Sequence, residues 1–242
     1  MTGPLLRVTR VSKHFGGFTA LSQVSVEIAQ GERFGLIGPN GSGKTTLINC
    51  ISGALRNDGG SIVFDGADVS ELPAYQRTRR GIARSFQIPR PFSSMTVLEN
   101  LRVPLEYVVH RGSLHTADTG AEAMQILKTM GLADKAQIRT NQLTQVDLRK
   151  LELARAMAAR PRLLISDEAM AGLSSTEVEE VLAILRKLND SGITIIMIEH
   201  IMKAVMSFSQ RVICLDAGRI ICEGTPESIV KDPEVQKAYL GA

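Results

Sequence analysis

Gly38-Pro39-Asn40-Gly41-Ser42-Gly43-Lys44-Thr45 is the stretch from which the rest of the chain can be read. It fits the pattern G-x-x-x-x-G-K-[ST], with the apolar run Phe34-Gly35-Leu36-Ile37 before it and a helical pattern over about 44–52 after it. A glycine-rich loop between strand and helix is the context in which this pattern cradles phosphate. Gly41 and Gly43 permit the backbone angles that bend the loop round an anion. Successive N–H groups then face inward, and the positive end of the following helix adds to them. The spacing predicts that Lys44 reaches the β- and γ-phosphates of a nucleotide and that the Thr45 hydroxyl ligates Mg²⁺. Thr46, in the same helical turn, joins the expected nucleotide-binding set of Gly38, Pro39, Asn40, Gly41, Ser42, Gly43, Lys44 and Thr45.

Further apolar runs recur along the chain between helical patterns, the mark of a mainly parallel sheet with crossover helices. Leu163-Leu164-Ile165-Ser166 ends at Asp167 and Glu168, residues 193–198 end at Glu199 and His200, and 211–215 form another strand candidate. Between the first two, Ser174 and Glu177 make an S-x-x-E capping box. Val178, Val181, Leu182, Leu185 and Leu188 then trace one apolar helix face, and Gly192 ends the segment. From about 88 to 157 the pattern is mainly helical, with helices expected over 121–130, closed by Gly131, and over 148–159, stopped by Pro161.

Ligand sites of parallel sheets lie at the carboxyl ends of strands. Asp167 is therefore expected to hold Mg²⁺ and Glu168 to orient and deprotonate an attacking water, provided their strand neighbours that of the phosphate loop. His200 ends its strand in the same way and is expected to contact the γ-phosphate and that water. Gln87, after Ser85-Phe86 and before a proline-rich loop, has a neutral amide suited to Mg²⁺ or to sensing the γ-phosphate.

The composition sets outer limits. Aromatic residues make up 4% of the chain, with no Trp, which argues against a surface that stacks nucleic-acid bases. A net charge of +3 is mild and compatible with an anionic membrane surface, whereas a nucleic-acid binder more often shows a concentrated basic stripe. The three cysteines, Cys50, Cys214 and Cys222, lack C-x-x-C spacing and are expected to be buried small residues. The opening MTGPLLRVTR lacks the apolar core of a signal peptide, and no apolar run reaches 18 residues. Membrane association is therefore expected to go through a partner.

These pieces occur in the order of the ABC ATPase family, and the resemblance covers nearly the whole chain. Residues 38–45 resemble its Walker A motif, Gln87 its Q-loop, 163–168 its Walker B, Ala171-Gly172-Leu173-Ser174 its D-loop and His200 its switch histidine. Phe15, in His14-Phe15-Gly16-Gly17, falls where the family sets an aromatic ring against adenine. The resemblance implies an α/β fold: a P-loop NTPase core with a mainly parallel sheet, an antiparallel β portion near the N-terminus and an inserted helical subdomain. Residues 1–242 are expected to form one ABC ATPase domain, with the nucleotide-binding core in about 1–87 and 158–242 and the helical subdomain in about 88–157.

A narrower likeness is carried by Arg84-Ser85-Phe86-Gln87-Ile88-Pro89-Arg90-Pro91-Phe92, by Met95-Thr96-Val97-Leu98-Glu99-Asn100-Leu101, by Gly224-Thr225-Pro226 and by the ending Asp232-Pro233-Glu234-Val235 with Tyr239-Leu240-Gly241. These segments are similar to one ATPase of branched-chain amino-acid importers. That likeness implies ATP and Mg²⁺ as ligands, a second ABC ATPase subunit, membrane permease subunits and an extracytoplasmic solute-binding protein. The chain is expected to sit peripherally on the cytoplasmic face of the plasma membrane. Another solute, such as urea or an amide, and a mainly regulatory nucleotide-binding subunit are the alternatives. An ABC ATPase acting on ribosomes or DNA usually carries two such domains in one chain or a long coiled-coil insertion, and this sequence shows neither.

One segment departs from the family. Where Leu-Ser-Gly-Gly-Gln is usual, this chain has Leu143-Thr144-Gln145-Val146-Asp147. In the family this signature closes over the nucleotide held by the opposite subunit. Val146 is expected to crowd that nucleotide and Asp147 to repel its phosphates unless it points away. An asymmetric heterodimer follows as the expectation, with a homodimer the alternative. Ala169 replaces a proline usual after Walker B, a change that bears on loop stiffness. The basic run Arg77, Arg79, Arg80 and Arg84 reads as a solvated face, with contact to lipid headgroups or a permease as the alternative.

Overall fold

Alternation along two short strands divides the interior of this chain. In the computed structural model, which describes residues 3–86, 88–110 and 118–240, Leu163 and Ile165 of one strand and Ile196 and Ile198 of another face one core. Leu164, Ile195 and Met197, one residue out of phase, face a second core. A sheet buried on both faces reads as continuous apolar sequence, which is why these runs lack a polar side.

The elements follow in chain order. Strands β1 (Leu6–Phe15), β2 (Phe18–Ile28) and β3 (Arg33–Ile37) lead to helix α1 (Lys44–Ser52), then β4 (Gly59–Phe64), β5 (Ala67–Asp68), α2 (Ala74–Arg79) and β6 (Ile82–Ser85). Helix α3 (Val97–Pro104) runs into a π-helical turn at Leu105–Val109, followed by α4 (Thr119–Met130) and α5 (Gln145–Met157). The chain closes with β7 (Leu163–Asp167), α6 (Ser175–Asp190), β8 (Thr194–Ile198), α7 (Met202–Phe208), β9 (Arg211–Asp216), β10 (Arg219–Gly224), α8 (Pro226–Lys231) and α9 (Pro233–Leu240).

The larger sheet has the order β10-β9-β3-β8-β7-β6, parallel except for the antiparallel edge pair β9–β10. A smaller antiparallel sheet, β2-β1-β4-β5, covers one of its faces, with Leu47, Ile48, Cys50 and Ile51 of α1 packed between the two. The opposite face carries α5 and α6 and, beyond them, α3 and α4. The fold is thus α/β, with the antiparallel portion near the N-terminus.

Several boundaries differ from those read in the sequence. Strand β8 separates β3 from β7, so the strand that ends at Asp167 is a next-but-one neighbour of the phosphate-loop strand. Helix α5 starts at Gln145, capped by the Thr144 hydroxyl, three residues ahead of its expected start. Leu148 therefore lies inside a helix whose first turn is the signature segment. Helix α4 is capped by Asp118 and stops at left-handed Gly131. The capping box at Ser174 and Glu177 forms as expected.

The basic run is divided. Arg77 is 1% exposed, and its guanidinium donates to the carbonyls of Leu72, Cys50, Ile51 and Ser70 at 2.6–2.9 Å. Arg84 is also turned inward. Only Arg79, over the Tyr75 ring, and Arg80 remain on the surface. A buried arginine needs a full set of acceptors, and the free carbonyls at the end of α1 provide half of them.

Candidate nucleotide site

The phosphate loop connects β3 to α1 and packs tightly from behind. A Cβ on Gly38 would come within 2.1 Å of the Leu215 carbonyl oxygen, and one on Gly43 within 2.6 Å of the Ala20 oxygen; both residues have positive φ. No side chain caps the N-terminus of α1 and no acid stands in its first turn. Helices α3, α4, α5 and α6 are each capped by a Ser, Thr or Asp side chain. The first amides of α1 are therefore left for an external acceptor.

Lys44 is 6% exposed, and its ammonium donates to the carbonyls of Gly38 at 2.6 Å and Pro39 at 2.9 Å. Burial lowers its pKa, against the opposing fields of Glu168, Cys214 and Asp167. The buried Ser42 hydroxyl has no hydrogen-bond partner. A buried cation held by neutral carbonyls, an orphaned hydroxyl and open helix amides form a donor set that fits a polyphosphate. The cavity in front of the loop has a volume of ≈ 260 Å³. Its lining brings together Asn40, Gly41, Ser42, Gly43, Lys44, Thr45 and Thr46 of the loop, Phe15 and Phe18 of the hairpin, and Glu168 and His200.

Phe15 and Phe18 are register partners across the β1–β2 turn, 48% and 61% exposed. Phe18 was not singled out from the sequence. Its signal is the two-residue Gly16-Gly17 separation, which puts both rings at one hairpin tip.

Glu168 and His200 come from adjacent strand ends. The Glu168 amide donates to the Ile198 carbonyl at 2.9 Å, tying the end of β7 to β8. Its carboxylate stands 2.9 Å from His200 Nε2. Glu168 has φ +47°, a left-handed conformation that side chains other than glycine adopt sparingly and that clusters at functional sites. Behind the pair, the Glu199 carboxylate is 2% exposed and accepts the Met170 amide at 2.9 Å. Burial raises its pKa to about 7, the Met170 bond working against this and the nearby Glu168 charge with it.

Asp167 is not among the residues that line this cavity. Its carboxylate accepts from Arg84 Nη2 at 2.5 Å, and Arg84 Nη1 donates to the Asn49 side chain of α1 at 2.6 Å. Both charged side chains are about nine-tenths buried. Arg84 also lies 5.3 Å from the centre of the Phe86 ring. Gln87 lies outside the described residues. A Mg²⁺ site built from one carboxylate, one hydroxyl and the phosphates of the nucleotide needs no dedicated protein cage. Thr45 lines the cavity and is an oxygen ligand of that kind, whereas the Asp167 carboxylate is held by Arg84 and would serve the ion only with an oxygen that this pair leaves open.

The signature segment is changed in chemistry and compensated in structure. Thr144 caps α5, and its hydroxyl also donates to Asp147 at 2.7 Å. Lys135 donates to the same carboxylate at 2.7 Å. Burial acts to raise the Asp147 carboxyl, and these bonds outweigh it and hold the group below the usual carboxylate range. The expected repulsion from an exposed Asp147 is thus reduced: the charge is paired and folded back over its own helix. Leu143 and Val146 rest partly buried against the helical core. Gln145 lies along the D-loop, where a Cβ on Gly172 would approach its amide nitrogen to 2.9 Å.

Comparison with known proteins agrees with this architecture. Residues 21–171 match the family model described as ABC transporter. The chain belongs to the ABC transporter family, as one of its ATP-binding cassettes. Residues 219–242 match a second model, described as branched-chain amino acid ATP-binding cassette transporter. The high-affinity branched-chain amino acid transport ATP-binding protein BraF of Pseudomonas aeruginosa is 36% identical, with 100% of this chain and 99% of the relative covered. The corresponding LivG protein of Escherichia coli is 38% identical over the same shares. Among solved structures, a nucleotide-free ATP-binding cassette from an ABC transporter superposes with a TM-score of 0.90 at 30% identity, covering 99% of this chain and 100% of that one. The ADP conformation of an ATP-binding cassette of an ABC transporter gives 0.89 at 30% identity, with 99% of each chain covered.

Proposed function

We propose that the chain hydrolyses Mg-ATP to drive import of branched-chain or related amino acids, as a peripheral subunit on the cytoplasmic face of the membrane. The observation that carries the reading is one cavity in which Lys44 and the loop amides face Glu168 and His200. In this reading the loop and Lys44 bind the β- and γ-phosphates, and Phe15, with Phe18 beside it, holds the adenine. Glu168 takes a proton from the attacking water and His200 keeps its carboxylate aimed. Thr45, Asp167 and Gln87 would hold Mg²⁺, which supplies positive charge to the phosphates when bound.

No helix among the described residues is long and apolar enough to cross a membrane, so solute passage falls to permease subunits. An apolar groove of ≈ 370 Å³ beside the exposed rings of Phe86, Phe92 and Tyr107 suits an amphipathic helix of such a partner. Arg84 lines that groove and bonds Asp167, which gives nucleotide chemistry a short path to it. Substitution of the signature glycine by Val146 favours pairing with a different ATPase subunit. The present chain would contribute the intact Walker residues, and its partner the intact signature.

Mg-ATP turnover by the purified chain, followed across protein concentrations with Glu168→Gln as control, tests the catalytic reading. Turnover rising faster than linearly would mean that the chain works as a homodimer. Binding of ATP without turnover would require a second subunit. Leucine, isoleucine and valine uptake in a strain lacking this chain, restored by the wild type and not by Glu168→Gln, tests the solute.

A further inference from the structure

The last helix of the chain reaches the back of the phosphate loop. The Gly38 amide, where β3 turns into the loop, donates to the Tyr239 hydroxyl at 2.8 Å. The two residues are 201 positions apart in sequence, so the bond exists only because α9 docks on the core.

That docking is anchored at the other end of α9. Asp232 accepts the amides of Glu234 at 2.8 Å and Val235 at 3.2 Å, which caps the helix start. The same carboxylate receives the Cys222 thiol of β10 at 3.1 Å. Between the two ends Val235 is 4% exposed and shares a small core with Ile37, Val205, Val212, Cys214 and Ile229. Ile37 is the residue just before Gly38. The helix is thus fixed to β10, packed on the last residue of β3 and bonded to the first residue of the loop. Tyr239 as a whole is 41% exposed, but its hydroxyl lies on the Gly38 amide, and desolvation there raises the phenol above its ordinary range against that bond, so it stays a neutral hydroxyl.

We propose that Tyr239 is a positioning residue of the nucleotide site: its hydroxyl holds the Gly38 amide and thereby the shape of the phosphate loop before nucleotide arrives. This rests on the nucleotide-binding reading above. The reason is conformational entropy. Gly38, Gly41 and Gly43 all have positive φ, and a loop hinged on glycines has many alternatives to the binding shape. Each contact that pre-selects this shape lowers the ordering cost of binding. Tyr239 touches no phosphate in this scheme. It makes the C-terminal segment, otherwise remote in sequence, part of the binding apparatus.

Tyr239→Phe keeps the ring and removes only the acceptor. Hydrogen exchange of the nucleotide-free chain and ATP and ADP affinities are measured on the full chain and the variant. Loss of one neutral hydrogen bond should speed exchange in peptides spanning 36–44 and raise both dissociation constants by about 2- to 10-fold. Exchange in β1 and β2 should not change. Unaltered exchange over 36–44 would overturn the proposal, as would acceleration spread over the whole chain, which marks general destabilisation. Faster loop exchange with unaltered affinities would also overturn it. If the wild type itself failed to bind ATP, the nucleotide reading would fall, and the exchange data would still report whether Tyr239 holds the loop.

Discussion

Replacing Arg84 with methionine should separate charge pairing from simple packing at the magnesium side of the site. The Arg84 and Asp167 side chains are 11% and 9% exposed and joined at 2.5 Å, so removing either leaves a charge in a poorly solvated place. Truncating one partner of such a pair costs about 3–5 kcal/mol, whereas removing both charges together costs much less. Arg84→Met and Asp167→Asn alone should each lower the urea midpoint by that equivalent, with an unchanged slope. The double variant should fall well short of their sum, with a coupling of about 1–3 kcal/mol. At this chain length, 3 kcal/mol corresponds to a melting point lower by about 6–12 °C. Arg84→Lys should recover only part, because one ammonium cannot serve Asn49 and Asp167 as a planar fork does. Single effects that add to within about 0.5 kcal/mol would refute the argument, since independent sites behave that way.

Other outcomes follow from the same geometry. Glu168→Gln should reduce ATP turnover by at least about 100-fold and leave ATP binding in place, measured by phosphate release and by equilibrium titration. Glu199 has its carboxyl raised from 4.5 to about 7, so the folded chain holds a proton that the unfolded chain gives up between those pH values. Stability therefore falls as pH rises from about 4.5 to about 7 and stays lowered above that. Glu199→Gln should gain up to about 3 kcal/mol at pH 8 and nothing below pH 4.5, followed by urea unfolding at both values. Arg77→Met should cost at least about 3 kcal/mol by stranding four buried carbonyl acceptors, and Arg77→Lys should not rescue it in thermal melts.

Much of this was legible because local rules and the fold agree. The phosphate loop announces itself through glycines with one lysine at fixed spacing, and the structure puts α1 at residues 44–52, where that pattern ends. The Ser174 cap and the apolar stripe of α6 are equally local signals. What local sequence does not encode depends on distant partners. Arg77 and Arg84 look like members of one basic run, yet four carbonyls receive the first and Asn49 and Asp167 the second. Nothing near Tyr239 in sequence hints at Gly38. Helix α5 starts at Gln145 rather than 148, because the Thr144 hydroxyl accepts the Asp147 amide as an ordinary N-cap. The sheet order was also out of reach, since strand sequence alone does not tell which neighbour lies between two others.

That order carries a consequence for how the site measures its ligand. Strand β8 lies between the loop strand and the Glu168 strand, so the backbones of those two strands stand two strand spacings apart. With strands about 4.8 Å apart, that backbone separation is roughly 10 Å and is set by a hydrogen-bonded ladder rather than by loop length. The jaws behave like a calliper whose opening is set by its beam. Lengthening or shortening surface loops should leave the gauge unchanged, whereas a bulge introduced in β8 would misset it and shift His200 off Glu168 at the same stroke.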